Sequence, residues 1–84
     1  MLDAPPTADA QLNAGITACG DLILLIVREM KVLTSGQVLR VVGHDPGARE
    51  DIPAWCRMTG KQLLYYYVPE DRSQPADYYI QKGI

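Results

Sequence analysis

Residues 20–42, GDLILLIVREMKVLTSGQVLRVV, contain the change of apolar period that decides the fold. At about 100° per residue, the first part collects its large apolar side chains on one face, which is typical of an amphipathic helix. Ser35-Gly36 interrupts that pattern, and residues 37–42 are a short apolar, β-branched run typical of a strand. The stretch therefore predicts a helix followed by a strand, and the buried face of the helix is predicted to contain Leu22, Ile23, Ile26, Val27, Met30 and Leu33.

The segments on either side predict a further strand and a second helix. Upstream, apolar and polar residues alternate over residues 10–16, as in a half-buried strand. Downstream, residues 45–47 favour a turn. Pro53 lacks an amide proton and is best tolerated in a first helical turn, so the second helix is predicted to begin near Arg49 or Glu50. Its apolar face is predicted to contain Ala48, Ile52, Trp55, Cys56 and Thr59.

Two more strands complete the predicted order. Gly60 is placed to end the second helix in a left-handed conformation, and residues 62–68 and 77–82 have strand composition on either side of a polar turn. The order is β-α-β-α-β-β, and two amphipathic helices need one sheet face to cover their apolar stripes. We therefore predict a two-layer α/β sandwich, in which a four-stranded mixed sheet carries both helices on one face. The second helix–strand step suits a crossover between parallel neighbours, and the last two strands suit an antiparallel hairpin.

Composition indicates one small domain and limits its partners. The chain has 84 residues; residues 1–8 are predicted to be a disordered tail, and residues 9–84 are predicted to form the domain. The net charge of −2 has the wrong sign for a surface that neutralises phosphates, so direct nucleic-acid binding is not expected. The longest apolar run, residues 22–27, is far shorter than the roughly 20 residues that cross a membrane. The first residues of the chain do not have the features of a secretory signal, so a cytoplasmic location is predicted.

Cys19 is the main candidate for chemistry because it lies where the first helix begins. The unpaired amides and positive dipole end of a helix N-terminus favour the thiolate, which is the reactive form of cysteine. Gly20 and Asp21 continue this N-terminus, although the Asp21 carboxylate offsets part of the effect by repelling a thiolate. The alternative is that Cys19 is a small buried apolar residue. Cys56 shares the apolar face of the second helix and is predicted to be a packed core thiol.

The other polar and aromatic residues indicate no second site. A metal centre built from Cys19, His44, Asp45 and Cys56 lacks the C-x-x-C or H-x-x-x-H spacing, so no metal is expected, and His44 is assigned no role. The tyrosines must divide between the two sheet faces by the strand period of two. Without a basic surplus, cross-strand packing or a protein-docking patch explains them better than base stacking does. These tyrosines are Tyr65, Tyr66, Tyr67, Tyr78 and Tyr79.

Residues 45–60, DPGAREDIPAWCRMTG, resemble the Asp-Pro loop and second helix of the TusA family of sulfur carriers, also called the SirA-like family. The resemblance continues through residues 36–39, residues 63–64 and the segment YIQKG at residues 79–83. It covers about residues 10–83, and the family has the β-α-β-α-β-β order predicted above. The resemblance therefore implies the same fold.

The active motif of that family is Cys-Pro-x-Pro at the start of the first helix, where this chain has Cys19-Gly20-Asp21-Leu22. The cysteine matches, and both prolines are absent. Proline at the first helical position fixes φ and sets the helix start, so Gly20 is expected to leave the loop around Cys19 looser. A donor enzyme must recognise the residues around the cysteine. The absence of the two prolines is therefore expected to affect which partner binds.

The resemblance implies a sulfur carrier in which Cys19 accepts sulfane sulfur as a persulfide and passes it to an acceptor protein, as in a sulfurtransferase, without a cofactor. The implied donor is a cysteine desulfurase or a rhodanese-type enzyme. The implied acceptor is a DsrE-like or similar sulfur-relay protein, serving tRNA thiolation or sulfur oxidation. Leu24, Arg28 and Lys31 lie along the outward face of the helix that Cys19 opens, and we predict that they contribute to docking. The alternative is a non-catalytic protein-binding or regulatory module that lacks the complete motif.

Overall fold

The computed structural model describes residues 3–15, 19–44, 47–71 and 74–83, with only the backbone of residues 19 and 20. Two helices and a four-stranded mixed sheet follow each other in the predicted order, and the two-layer α/β fold is confirmed. The elements are β1 (Ala10–Gly15), α1 (Cys19–Val32), β2 (Val38–Gly43), α2 (Ala48–Thr59), β3 (Gln62–Tyr67) and β4 (Ala76–Gln81).

The sheet has the strand order β1-β2-β4-β3. Strands β1 and β2 are parallel, and β4 is antiparallel to both β2 and β3. The expectation that β2 and β3 would be parallel neighbours is wrong, because β4 lies between them. The register explains the insertion: Leu39 of β2 faces Ile80 of β4, and Val41 faces Tyr78, so apolar side chains meet across the pair.

The core lies between the helices and one face of this sheet. Leu22, Ile26 and Met30 of α1 are buried, as the helical period predicts, and Leu33 just after α1 is buried with them. Tyr78 alone among the five tyrosines joins this core cluster. Burial of one apolar stripe per helix is what holds the two layers together. The side chains with no exposed surface are Ile26, Leu39, Val41, Ile52 and Ile80.

Helix α2 begins at Ala48, one residue before the predicted start, because the carbonyl of Gly47 accepts the amides of Glu50 and Asp51 at 3.2 and 3.1 Å. Pro53 consequently lies inside the helix and not in its first turn, so that expectation is wrong. A proline in a helix interior costs about 3 kcal/mol, and here burial of the α2 face against the core opposes that cost.

The buried face of α2 is narrower than predicted. Ala48, Ile52 and Cys56 are buried, whereas Trp55 is half-buried and Thr59 is exposed. Thr59 is the last helical residue, and its hydroxyl donates to the carbonyl of Trp55 at 2.8 Å. The helix then ends at Gly60, whose φ of 73° is the predicted left-handed conformation.

Predicted and observed element ends differ elsewhere by about one residue. Strand β2 ends at Gly43, β3 ends at Tyr67, and β4 runs from Ala76 to Gln81. Ile16, predicted to end the first strand, and the predicted turn at residues 45–46 lie outside the described residues. The division between a disordered tail and the domain at residue 9 stays a prediction. Within the described ranges, no helix is long and apolar enough to span a bilayer.

Candidate functional site

The edge of the sheet at which β1 and β2 end, called the carboxyl edge below, brings the two helix N-termini together. Helix α1 begins shortly after β1, and α2 begins shortly after β2, which is parallel to β1. The amide of His44, just past β2, donates to the carbonyl of Gly15 at 2.7 Å and fixes the ends of the two strands side by side. The positive ends of two helix dipoles therefore lie at this edge.

Cys19 is the first residue of α1 and so belongs to the carboxyl edge. The sequence pattern predicted the helix from Gly20 onward, and the structure includes Cys19 in it. The side chain of Cys19, and with it the predicted exposure of the thiol, lies outside the described residues. Asp21 lies in the first turn and is exposed, where its carboxylate complements the helix dipole.

The first turn of α1 forms without the two motif prolines, and packing stabilises it. Leu22, which stands where the resembling family has its second proline, is 1% exposed and belongs to the core cluster. One helical turn further, Ile26 has no exposed surface. Burying a leucine side chain contributes about 1.5–3 kcal/mol, which compensates for a helix start without proline.

The outward face of α1 is mostly polar, with Leu24 and Val32 as large exposed apolar residues. Leu24 is 55% exposed, and Arg28 and Lys31 are exposed on the same face. The helical pattern did not single out two other exposed apolar residues, Val32 at 76% and Met58 at 84%, because each lies in a last helical turn beside polar residues. The sequence feature that could have identified them is that each is a large apolar residue outside the apolar face of its helix.

Cys56 has the properties of a structural thiol. It is 3% exposed in the core, as predicted, and burial raises the pKa of its thiol to about 11, although the positive charges of Lys61 and Arg57 act to lower that pKa. A thiol with so high a pKa is almost entirely protonated at neutral pH and is a poor nucleophile. Cys56 is therefore unsuited to sulfur chemistry in the folded protein.

The open face of the sheet, opposite the helices, contains an aromatic and ionic cluster. Arg40 of β2 forms an ion pair with Asp77 of β4 at 3.0 Å, and its guanidinium lies 5.9 Å from the ring centroid of Tyr79. Tyr79 in turn makes an edge-to-face contact with Tyr65, with centroids 5.8 Å apart. The predicted division of the tyrosines between the faces is thus confirmed, and cross-strand packing accounts for the open-face pair.

Metal ligation has no support in the described part of the chain. Among those residues, no group of three or more His, Cys, Asp or Glu side chains could hold a metal ion. His44 is exposed, Cys56 is buried, and Asp45 lies outside the described residues. Cys19, at the carboxyl edge, stays the predicted reactive residue.

A comparison with protein-family models identifies one that matches most of the chain. The matching model is described as Sulfurtransferase TusA, and it matches residues 10–82. The matched range begins with the first residue of β1, includes Cys19, and extends just past the end of β4.

Proposed function

Because the chain belongs to the TusA sulfurtransferase family, we propose that Cys19 carries sulfur as a persulfide between two partner proteins. Membership gives the chain a sulfur-carrier role in general terms. The observation that supports Cys19 as the carrier is its position as the first residue of α1, beside the unpaired amides of a helix N-terminus. Cys56, by contrast, is buried and protonated.

The proposed chemistry is a thiol exchange in which sulfur is the cargo. The Cys19 thiolate attacks the terminal sulfur of a persulfide on the donor cysteine. A new S–S bond forms at Cys19, the S–S bond of the donor breaks, and the donor cysteine leaves as a thiolate. Cys19 then bears the S–SH group, and a thiolate on the acceptor removes its terminal sulfur in the same way. Neither step needs an oxidant or a reductant.

Family membership implies contact with sulfur-relay proteins in general. The donor proposed here is a cysteine desulfurase or a rhodanese-type enzyme, and the acceptor is a relay protein of tRNA thiolation or sulfur oxidation. A persulfide must pass directly between thiols, so the partner has to cover the N-terminus of α1. The outward face of α1, with Leu24, Arg28 and Lys31, lies next to that point and is the proposed docking surface.

One observation favours a second function, a protein-binding module without sulfur chemistry. Gly20 and Leu22 stand where the family motif has prolines, and Leu22 is now part of the core. A chain that has lost the chemistry would keep the fold and its exposed helix face. The two functions differ in whether Cys19 takes up sulfur.

The deciding experiment incubates the protein with a cysteine desulfurase and free cysteine and measures its intact mass. The expected product is heavier by one sulfur atom, and a reductant restores the original mass. Cys19→Ser is expected to abolish the gain, whereas the matched Cys56→Ser variant is expected to keep it. No gain with the wild-type protein from either a desulfurase or a rhodanese-type donor would favour the binding module.

The docking surface makes a separate prediction. Replacing Leu24 by Ala together with Arg28 by Gln is expected to slow sulfur loading by about 10-fold, because a few central contacts, often including an arginine, contribute most of the binding energy of an interface. Tyr67→Ala is the matched control, since Tyr67 is 54% exposed on the other side of the molecule. An unchanged loading rate in the double variant, with unchanged folding, would contradict the proposed surface.

A further inference from the structure

A pocket of about 290 Å³ lies between the C-terminal halves of α1 and α2. Its apolar lining consists of Val27 and Met30 of α1 and Trp55 of α2. Lys31 follows Cys19 by twelve positions on the same helix, which corresponds to about 18 Å along the helix axis. The pocket is therefore distant from Cys19, although Lys31 belongs both to its lining and to the proposed docking surface.

Among the described residues that line the pocket, the charged side chains are all positive. They belong to Lys31, Lys61 and Lys82. The ammonium group of Lys82 donates to the carbonyl of Leu33 at 2.6 Å, which holds this lysine in place. For Lys31 and Lys61, the described residues provide no ion-pair partner within 4.0 Å. Two lysines therefore remain available to a ligand.

Helix dipoles do not account for three lysines at this place. The C-terminal end of each helix carries roughly −0.5 elementary charge, so the ends of α1 and α2 together offset about one lysine. An excess of about two positive charges remains beside an apolar surface, in a chain whose net charge is −2. Such an excess costs self-repulsion in the free protein and is reduced when an anion binds.

We propose that this pocket binds a small organic anion that has an apolar body. The apolar body packs against Trp55, Met30 and Val27, and the anionic group, a carboxylate or its equivalent, faces Lys31 and Lys61. Small-molecule sites combine a mostly apolar lining with a few polar groups that orient the ligand, and they occupy about 300–1,000 Å³. With about 290 Å³, the pocket lies just below that range and suits a small ligand.

Trp55 provides a direct readout because it is the single tryptophan of the chain. The test titrates the full chain with 4-phenylbutyrate and follows Trp55 fluorescence and backbone NMR shifts. The neutral amide and the cationic amine of the same ligand are the matched probes. The carboxylate is expected to bind at least about 10-fold more tightly than the amide, since only the carboxylate makes a charge-assisted contact with the lysines. The amine is expected to bind most weakly.

Paired variants identify the groups responsible. Lys31→Gln with Lys61→Gln is expected to remove the preference for the carboxylate over the amide. Arg28→Gln with Arg57→Gln removes the same charge from exposed positions outside the pocket lining and is expected to preserve it. Lys82 is left unchanged because it donates to the carbonyl of Leu33, just after α1.

Several results would overturn the proposal. Equal affinity for the carboxylate, the amide and the amine would show that the lysines select nothing. If 4-phenylbutyrate does not bind and an acidic, leucine-containing peptide does, the pocket is a contact site for a protein. The titration is repeated with Cys19→Ser, which cannot carry sulfur at residue 19. The affinity measured with this variant therefore does not depend on the proposed sulfur relay.

Discussion

In the folded protein, Cys19 is expected to react with iodoacetamide at least about 100-fold faster than Cys56 at pH 8. Only the thiolate is alkylated, and burial raises the pKa of Cys56 to about 11, which leaves about one thiol in a thousand ionised at that pH. A cysteine with the ordinary pKa of about 8.5 is about one quarter ionised. Limited access to Cys56, which is 3% exposed, enlarges the difference further.

Peptide mapping of the labelled protein at successive times measures both rates in one sample. The rate at Cys56 is expected to rise with pH up to about 11, because its thiol loses its proton only there. The rate at Cys19 is expected to level off at lower pH, since a helix N-terminus stabilises its thiolate. In denaturant the two rates should become similar. Equally slow reaction of both cysteines in the folded protein would contradict a reactive Cys19.

Leu39→Ala is expected to lower the free energy of unfolding by about 2–5 kcal/mol. Leu39 has no exposed surface and faces Ile80 across the β2–β4 pair, so alanine leaves a cavity where the central strands meet the helices. A domain of 84 residues is stable by roughly 4–13 kcal/mol, so the variant is expected to lose a large share of its stability.

Leu24→Ala is the matched control, because it makes the same change at a leucine that is 55% exposed and lies in a helix. Its effect is expected to stay within about 0.5 kcal/mol, as is usual for surface positions. Equilibrium unfolding by urea, followed by Trp55 fluorescence, compares the two variants. Equal losses of stability would show that the core does not lie where the helices meet β2.

The elements of this fold could be predicted from sequence because their signals are local. The helical period of α1, the left-handed Gly60 and the alternation of β1 each reflect the conformation of a few consecutive residues. The insertion of β4 between β2 and β3 could not be predicted in the same way. It depends on which apolar residues meet across strands, and Leu39 and Ile80 are far apart in the chain. Pro53 was misplaced because packing outweighed a local preference.

The same distinction applies to the candidate site. The position of Cys19 at a helix start follows from two neighbouring patterns, a strand that ends and a helix that begins. The family resemblance adds the chemistry, and the family match over residues 10–82 confirms that resemblance. The pocket had no sequence signal, because Lys31, Lys61 and Lys82 come from three separate segments and meet only in the folded chain.

The inserted position of β4 also has a consequence for biosynthesis. The chain leaves the ribosome from its N-terminus, so β2 and β3 emerge before the strand that belongs between them. Until residues 76–81 appear, both strands have an unpaired edge, and Leu39 and Val41 lack their partners on β4. Unpaired edges of this kind can pair with other chains. A chain truncated before residue 76 is therefore expected to associate with other chains more readily than the full chain does.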